Sequence, residues 1–358
     1  MNRILSQCVK ELLQFRRDRL TLALAFILPT ITLFIFGFAI RLEAKDIPLL
    51  VRDFDRSVLS QEYRDRLFAT NLFTPVTWQG NPEAALDRSL ARAVVVIPPD
   101  FSRNLKAIVD GTDTNNARII RNSIKATTQS FLQAKNLVPK NPPITTATRI
   151  WFNPGRRESL YIVPGVYAVI LWIFPSLLSA IAMVREKEKG TILQVYASDL
   201  SAGELILGKS LAYLVVGIGM ATCVMGLGSL IFQLGFAGDP TPLLLGTIVY
   251  LWASVMFGLM LGARTTSQNA AVQGVALVGF LTALLLSGFI YPLSYIPFPL
   301  SLISNVVPAR YFIEVTRDAF VRGIGWSSVW SNLIMIWLLG MVLFAVARKA
   351  LSRMQLGD

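Results

Sequence analysis

The sequence predicts an α-helical polytopic membrane protein with six transmembrane helices and an inserted small α/β extracytoplasmic domain. The first observation is the uncharged apolar stretch 20–40, which as a helix would reach about 31 Å, close to the thickness of the hydrocarbon core of a bilayer. The second is a group of five further apolar stretches within residues 161–358. The third is the mostly polar segment 41–160 between them, which is long enough to form a domain.

The composition supports this fold class. The 358 residues are 53% hydrophobic and 16% charged, whereas a soluble globular domain carries about 25% charged residues. The chain contains no histidine, the commonest general base and zinc ligand, and we expect no catalytic or metal site. Cys8 precedes the first span and Cys223 lies inside a later one, so a disulfide between them is not expected.

The predicted spans contain no Asp, Glu, Lys or Arg. They cover residues 20–40, 162–184, 211–236, 243–263, 271–291 and 327–347. Proton- and ion-coupled carriers usually place such groups near the middle of the membrane, so these spans offer no evident coupling site. An intramembrane enzyme is disfavoured for the same reason, since no catalytic pair is present.

The basic residues predict the orientation. If the N-terminus is cytoplasmic, thirteen Lys and Arg residues fall in the cytoplasmic segments, and the short segments on the other side hold only Arg310, Arg317 and Arg322. Both termini are therefore expected in the cytoplasm. Residues 1–19 are charged and precede a full-length span, which favours an uncleaved anchor over a signal peptide. They predict an amphipathic helix on the cytoplasmic membrane surface; a cytosolic extension of the first span is the alternative.

The segment 41–160 alternates strand and helix patterns. Strands are predicted at 47–51, 74–78, 93–97 and 107–109, and helices at 59–69, 82–91 and 116–134. The helix at 59 would be capped by Ser57 or Ser60, and the helix at 82 would have Asn81 as its cap and Pro82 at its first position. This alternation is typical of a small α/β domain.

Residues 292–326 are apolar but broken by proline. Pro292, Pro297, Pro299 and Pro308 interrupt them, which favours short re-entrant or interfacial helices over a span. Pro308 would begin one of these helices. The charged residues that follow it are expected to pair with one another; they are Arg310, Glu314, Arg317 and Asp318.

Residues 203–210 match the phosphate-loop pattern G-x-x-x-x-G-K-[ST]. That pattern acts between a strand and a helix of an α/β NTPase core, whereas here it lies in a predicted cytoplasmic loop, 185–210, between two spans. We therefore expect no ATPase core in this chain. The alternating charges after the second span and the helix-like stretch 201–207 suit a docking element for a soluble motor, and a solvated helix end is the alternative for the charges alone.

Four groups of residues resemble the permease subunits of ABC-2 type exporters, in the subgroup with a large extracytoplasmic domain between the first and second spans. They are 26–40 in the first span, 53–57 with 109–115 in the outer domain, 185–191 with 204–209 in the cytoplasmic loop, and 286–292 with 308–314 in the fifth span and the outer re-entrant helices. The chain departs from the family pattern at Leu193, Asp199 and Ala202, where the family often has glutamate or proline. The docking contact is therefore expected to suit a particular partner ATPase.

The resemblance implies the permease half of an ATP-driven exporter in the bacterial plasma membrane. A separate cytoplasmic ABC ATPase would bind ATP and Mg, two permease chains in a homodimer or heterodimer would form the pathway in the lipid bilayer, and this chain would hold no cofactor. Hydrophobic or amphiphilic cargo is implied, such as a drug or a lipid-like molecule. The sequence does not decide whether a periplasmic adaptor takes part, and nucleic acid is not an expected partner.

The resemblance also implies site residues at the two ends of the spans. Those implied to couple to the ATPase are Arg185, Glu186, Glu188, Gly190, Thr191, Glu204, Gly208 and Lys209. Those on the outer re-entrant helices, where the family implies an exit path, are Pro308, Arg310, Tyr311, Glu314 and Arg317. The competing hypothesis is a non-transporting membrane receptor or scaffold whose outer domain binds a ligand. Co-purification of a soluble Walker-motif ATPase would discriminate between the two.

Overall fold

The computed structural model describes residues 2–39, 46–87, 90–99, 105–110, 114–135, 157–190, 200–290, 293 and 296–355. The chain divides into two compact units, one formed by Met1–Ile40 with Ile150–Asp358 and the other by Arg41–Arg149. Predictions for Thr191, Pro292 and the positions Leu193 and Asp199 lie outside the described residues.

The first unit contains six helices that are long and apolar enough to cross a membrane, which confirms the predicted fold class. In chain order we call them the first to sixth spans: Arg19–Ala39, Ser159–Glu188, Ala202–Ile231, Thr241–Arg264, Gln268–Leu285 and Trp326–Gln355. The fifth contains a π-helical stretch at Val275–Phe280.

Two span ends differ from the prediction for local reasons. The third span begins at Ala202 rather than at 211, because Ser201 and Glu204 form a capping box that starts the helix within the polar segment. The fifth span ends at Leu285 rather than at 291. Gly288, three residues later, has a φ of +83°, a left-handed conformation that ends a right-handed helix and favours glycine.

The second span is the central helix of the first unit and packs most closely on the fourth span. Gly258 and Gly262 of the fourth span lie against the backbone of Ser176 and Ala180. The hydroxyl of Ser176 donates to Ser254 O at 2.8 Å, and the hydroxyl of Ser179 donates to Val255 O at 3.1 Å. Small residues thus allow close approach, and hydroxyl groups find acceptors across the interface.

An N-terminal helix, Asn2–Arg17, precedes the first span and is separated from it by Asp18. It packs mainly on the third span. Its buried side includes Gln7, Cys8, Glu11 and Phe15, whereas its outer side exposes a row of leucine and valine at Leu5, Val9 and Leu13. The apolar face predicted from the sequence is therefore divided between the protein interior and the surface.

Two short helices lie between the fifth and sixth spans. They are Leu300–Ser304 and Pro308–Arg317, and the second runs into a π-helical turn, Asp318–Arg322. Pro308 occupies the first turn of its helix, as the sequence predicts. Thr316 Oγ1 donates to Pro164 O at 2.9 Å, so this helix packs near the beginning of the second span.

The second unit is a small α/β fold. Its strands are β1 (Ile47–Asp53), β2 (Phe73–Val76), β3 (Ala93–Ile97) and β4 (Lys106–Val109), in the sheet order β2-β1-β3-β4. β1 is parallel to β2 and β3, and β4 is antiparallel to β3. The helices are Val58–Phe68, Pro82–Asp87 and Thr114–Ala134. Ser57, one of the two predicted caps, accepts from Ser60 N at 3.1 Å.

The α/β unit has a core on each face of its sheet. One core joins Leu49 and Val95 to the helix residues Tyr63, Ile124 and Phe131. The other is smaller and contains Leu50, Ala85 and Val94. Alternation along the strands explains the division, because successive side chains such as Leu49 and Leu50 point to opposite faces.

We expect Gly258→Ala to destabilise the chain. The added methyl group would overlap the backbone oxygen of Ser176 and the side-chain hydroxyl of Ser179. Overpacking costs about 1–3 kcal/mol, more than the ~1 kcal/mol that alanine gains over glycine in a helix. Thermal unfolding in detergent measures this as a lower midpoint. Gly226→Ala is the control, because no atom lies within 4 Å of the new methyl group; equal midpoints for both variants would contradict the packing account.

Candidate functional site

Four consecutive residues at the end of the second span, Arg185 to Glu188, each contact a different part of the first unit. Successive residues of a helix project about 100° apart, so four in a row point to all sides. We call these four residues and their partners the polar hub. The partners are Asp18 for Arg185, Lys10 and Lys209 for Glu186, the carbonyl groups of Gly262, Ala263 and Thr265 for Lys187, and Gln268 for Glu188.

The centre of the hub is a buried ammonium group. Lys209 Nζ lies 2.7 Å from Glu11 Oε1 and 3.2 Å from Glu186 Oε2, and the exposed fractions of the three side chains are 0%, 3% and 7%. Glu186 is shared with the half-exposed Lys10 at 2.9 Å. Two carboxylates and two ammonium groups thus neutralise one another. The cluster joins the N-terminal helix, the second span and the third span.

A second ion pair fixes the start of the first span. Arg185 Nη1 lies 2.9 Å from Asp18 Oδ2, and Asp18 also accepts from the backbone N–H of Thr21 at 3.1 Å and from its hydroxyl at 2.6 Å. The Thr21 hydroxyl, its backbone N–H and the Arg185 guanidinium hold the pKa of Asp18 below its usual value, although burial opposes them. Asp18 therefore stays ionised at neutral pH and links the first span to the second.

The last two hub residues bind the fourth and fifth spans. Lys187 Nζ donates to Gly262 O at 2.9 Å and to Thr265 O at 3.1 Å, which places its positive charge at the C-terminal end of the fourth span, where the helix dipole favours a cation. Glu188 accepts from the backbone N–H of Gln268 at 2.8 Å, at the N-terminal end of the fifth span, where the dipole favours an anion.

The structure explains the phosphate-loop pattern without a nucleotide. Residues 203–210 belong to one continuous helix, so they form no loop that could surround a phosphate. A Cβ atom at Gly208 would lie 2.7 Å from Gln7 Cβ, so this glycine allows the N-terminal helix to approach. Lys209, the residue that would reach the phosphates, is wholly buried in the ion cluster.

The structure divides the predicted coupling residues into two sets. Arg185, Glu186, Gly208 and Lys209 lie in or beside the hub contacts that hold the helices together. Glu188, the exposed member of the hub, lies nearer the surface with Gly190 and Glu204. Gly190 has a φ of +68°, and Glu204 forms the capping box with Ser201. The second set flanks residues 191–199, which are not among those described.

Sequence reasoning missed the partners of the hub. Lys10, Glu11, Asp18 and Gln268 complete it, but none of them was a predicted site residue. One signal was present: Glu11 stands between Cys8 and Phe15 on the more apolar face of the N-terminal helix, where an isolated carboxylate requires a partner. The sequence alone does not reveal that this partner is Lys209.

At the opposite end of the second span, the Pro308 helix arranges its charges differently from the prediction. Arg310 does not pair with Glu314; it donates to Asn305 Oδ1 at 2.5 Å. Glu314 pairs with Arg322 at 2.6 Å and lies 3.9 Å from Arg317. Asp318 accepts from the backbone N–H of Gly325 at 2.8 Å. The π-helical turn carries Asp318 towards the loop that begins at Gly323, and the mutual pairing predicted for the four residues is wrong for Arg310 and Asp318.

Tyr311 and Arg317 complete this region. The hydroxyl of Tyr311 donates to Asn305 O at 2.8 Å and so holds the turn before Pro308. The guanidinium carbon of Arg317 lies 4.4 Å from the ring centre of Tyr161, at the start of the second span, in a cation–π contact. Among the described residues, no group of three or more Cys, Asp or Glu side chains is arranged to hold a metal ion.

Comparison with known proteins gives a match along nearly the whole chain. The family described as "ABC-2 family transporter protein" matches residues 19–349. The probable multidrug ABC transporter permease YbhR of Escherichia coli is 28% identical over 95% of this chain and 96% of its own length. The probable multidrug ABC transporter permease YbhS of the same organism is 26% identical over 90% and 89%, and the inner membrane transport permease YhhJ is 25% identical over 86% of each chain.

We expect Lys209→Met to lower the free energy of unfolding by about 3–5 kcal/mol, because it leaves the buried Glu11 carboxylate without its cation. Glu186 keeps Lys10, so the double variant Glu11→Gln/Lys209→Met should recover most of the loss. Denaturant or thermal unfolding in detergent measures the difference. Lys189→Met, which changes an exposed lysine nearby, is the control and should leave stability unchanged. No recovery in the double variant would show that the ion cluster is not the cause.

Proposed function

The chain belongs to the ABC-2 transporter family as a permease component, and on that basis we propose that it is the membrane half of an ATP-driven exporter, coupled to a separate ATPase through residues 185–210. The family match and the permease relatives, which the chain covers almost end to end, support this reading. These relatives are membrane components without an ATPase core, and ATP hydrolysis belongs to a partner subunit.

The polar hub is the observation that carries the coupling proposal. A partner that binds beside Gly190 and Glu204 contacts the ends of the second and third spans, next to the hub. The hub joins those ends to the N-terminal helix and to the first, fourth and fifth spans. A partner that displaces the ends of the second and third spans therefore displaces several helices together. These ion pairs and hydrogen bonds are the route that we propose for ATP-driven rearrangement of the spans.

We place the chain in a bacterial inner membrane with both termini in the cytoplasm, as the distribution of Lys and Arg favours. Two permease chains form the pathway. The first and fifth spans bury only 17% and 22% of their most apolar windows, which leaves apolar surface for lipid and for a second chain. The names of YbhR and YbhS favour drug-like or otherwise amphiphilic cargo.

We expect the full chain, purified without its partner, to show no ATP hydrolysis, since Lys209 is buried in ion pairs and residues 203–210 are helical. A phosphate-release assay with Mg and ATP measures this. Turnover that persists after the removal of every contaminating ATPase and disappears in Lys209→Ala would contradict the assignment.

A tagged chain purified gently from its native host should bring down a soluble ATPase with Walker motifs, identified by mass spectrometry. Glu204→Gln should reduce the recovered ATPase several-fold. Glutamine keeps the capping-box acceptor for the Ser201 N–H, so the variant removes the charge without unwinding the helix start. Asp65→Asn, on the surface of the α/β unit, is the control. Unchanged recovery in Glu204→Gln would exclude its charge from docking, and no ATPase with the native chain would overturn the exporter proposal.

A further inference from the structure

Arg317 carries a largely buried positive charge with few acceptors. Only 14% of its side chain is exposed. Nη2 donates to Gly288 O at 3.2 Å, one face of the guanidinium lies on the Tyr161 ring, and the buried Nε has no hydrogen-bond partner. A guanidinium has five N–H donors, and a buried charge is costly unless it is paired. This arginine therefore has donors left for an additional acceptor.

The nearest carboxylate is already engaged by another arginine. Glu314 Oε1 lies 3.9 Å from Arg317 Nη1, beyond hydrogen-bond distance, whereas Glu314 Oε2 lies 2.6 Å from Arg322 Nη1. The other arginine on the same helix, Arg310, already has Asn305 Oδ1 at 2.5 Å. Of these three arginines, Arg317 is the one with a buried N–H donor that has no hydrogen-bond partner.

Exposed apolar side chains lie in the chain close to Gly288, the residue whose carbonyl accepts from Arg317, and close to Pro308. Leu285 and Ile290, on either side of the Gly288 turn, are 41% and 37% exposed, and Val306, just before Pro308, is 61% exposed. A guanidinium beside exposed aliphatic side chains matches a molecule with an anionic head and an apolar tail. Arginine binds carboxylate and phosphate oxygens through parallel N–H donors, which makes it better suited to this task than a lysine.

We propose that Arg317 binds the phosphate or carboxylate headgroup of an anionic amphiphile. The apolar tail would lie along the exposed side chains that flank Gly288 and Pro308. The amphiphile has two sources, a resident membrane lipid or exported cargo, and only the second rests on the proposed exporter function. Glu314 carries its negative charge 3.9 Å from the same guanidinium, so it would repel an anionic headgroup bound there.

The test is binding of dioleoyl phosphatidylglycerol to the purified full chain in an uncharged detergent, by native mass spectrometry, with dioleoyl phosphatidylcholine as reference. The native chain should prefer the anionic lipid, and Arg317→Gln should lose about ten-fold or more of that preference. Arg317→Lys keeps the charge without the planar donor pair and should lose part of it. Glu314→Gln removes a nearby negative charge that repels the headgroup and should raise affinity for the anionic lipid.

Arg310→Gln is the matched control, since it removes the same charge from the same helix at a residue that already has an acceptor. It should keep the preference. A preference unchanged in Arg317→Gln, or lost equally in Arg310→Gln, would overturn the proposal. Unfolding midpoints of all variants show whether a lost lipid preference is caused by misfolding. If Arg317→Gln does not fold, the other two variants decide, because Arg317→Lys should lower the preference for the anionic lipid and Glu314→Gln should raise it.

A second arm distinguishes the two sources. The chain with its co-purified ATPase is placed in vesicles that contain fluorescently labelled phosphatidylglycerol, and ATP is added. Movement of the label between leaflets that is lost in Arg317→Gln identifies cargo, whereas binding without movement identifies a resident lipid. The binding arm needs neither ATP nor the ATPase, so absence of binding would refute the Arg317 site alone, and absence of a co-purified ATPase would refute the exporter proposal alone.

Discussion

A lysine with no exposed surface needs anionic partners, and this requirement organises the end of the first unit where the second and third spans meet the N-terminal helix. Lys209 is charged and fully buried, so carboxylates must reach it from its neighbours. Glu186 reaches it from the second span and Glu11 from the N-terminal helix. The position of that helix follows, because Glu11 approaches Lys209 only if the helix lies against the third span, where Gly208 makes room for it.

The two ends of the second span contrast in their polar contacts. At the hub, charged side chains form ion pairs and hydrogen bonds with several helices, so these helix ends are connected to one another. Near the Pro308 helix, an arginine keeps an unused buried donor, and its nearest carboxylate is held elsewhere. The hub charges have partners of opposite sign on neighbouring helices, whereas Arg317 has a buried N–H donor without a hydrogen-bond partner. The same physical rule, that buried charge requires a partner, applies at both ends.

Between these ends, the contact of the second and fourth spans provides the rigid core. Glycine at 258 and 262 brings the two backbones together, and Ser176, Ser179 and Ser254 satisfy their hydroxyl groups across the contact. Apolar side chains gain little from association within lipid, so close packing and internal hydrogen bonds must hold such helices together. The second and fourth spans therefore form a closely packed pair, and the Pro308 helix packs near the beginning of the second span.

Much of the architecture follows from the sequence alone, because it depends on patterns local to the chain. Uncharged apolar runs determine the six spans, alternation determines the strands of the α/β unit, and Pro308 determines the start of its helix. The resemblance to ABC-2 permeases also indicates Arg185, Glu186, Glu188 and Lys209 as coupling residues.

Their partners are a matter of tertiary structure alone. Glu11 and Lys209 are separated by 198 positions, and the pairing of Arg310 with Asn305 instead of Glu314 depends on how the turn before Pro308 folds back. Local patterns report which face of a helix is polar, but an ion pair depends on the distance between two atoms in space, and that distance is set only when the helices pack.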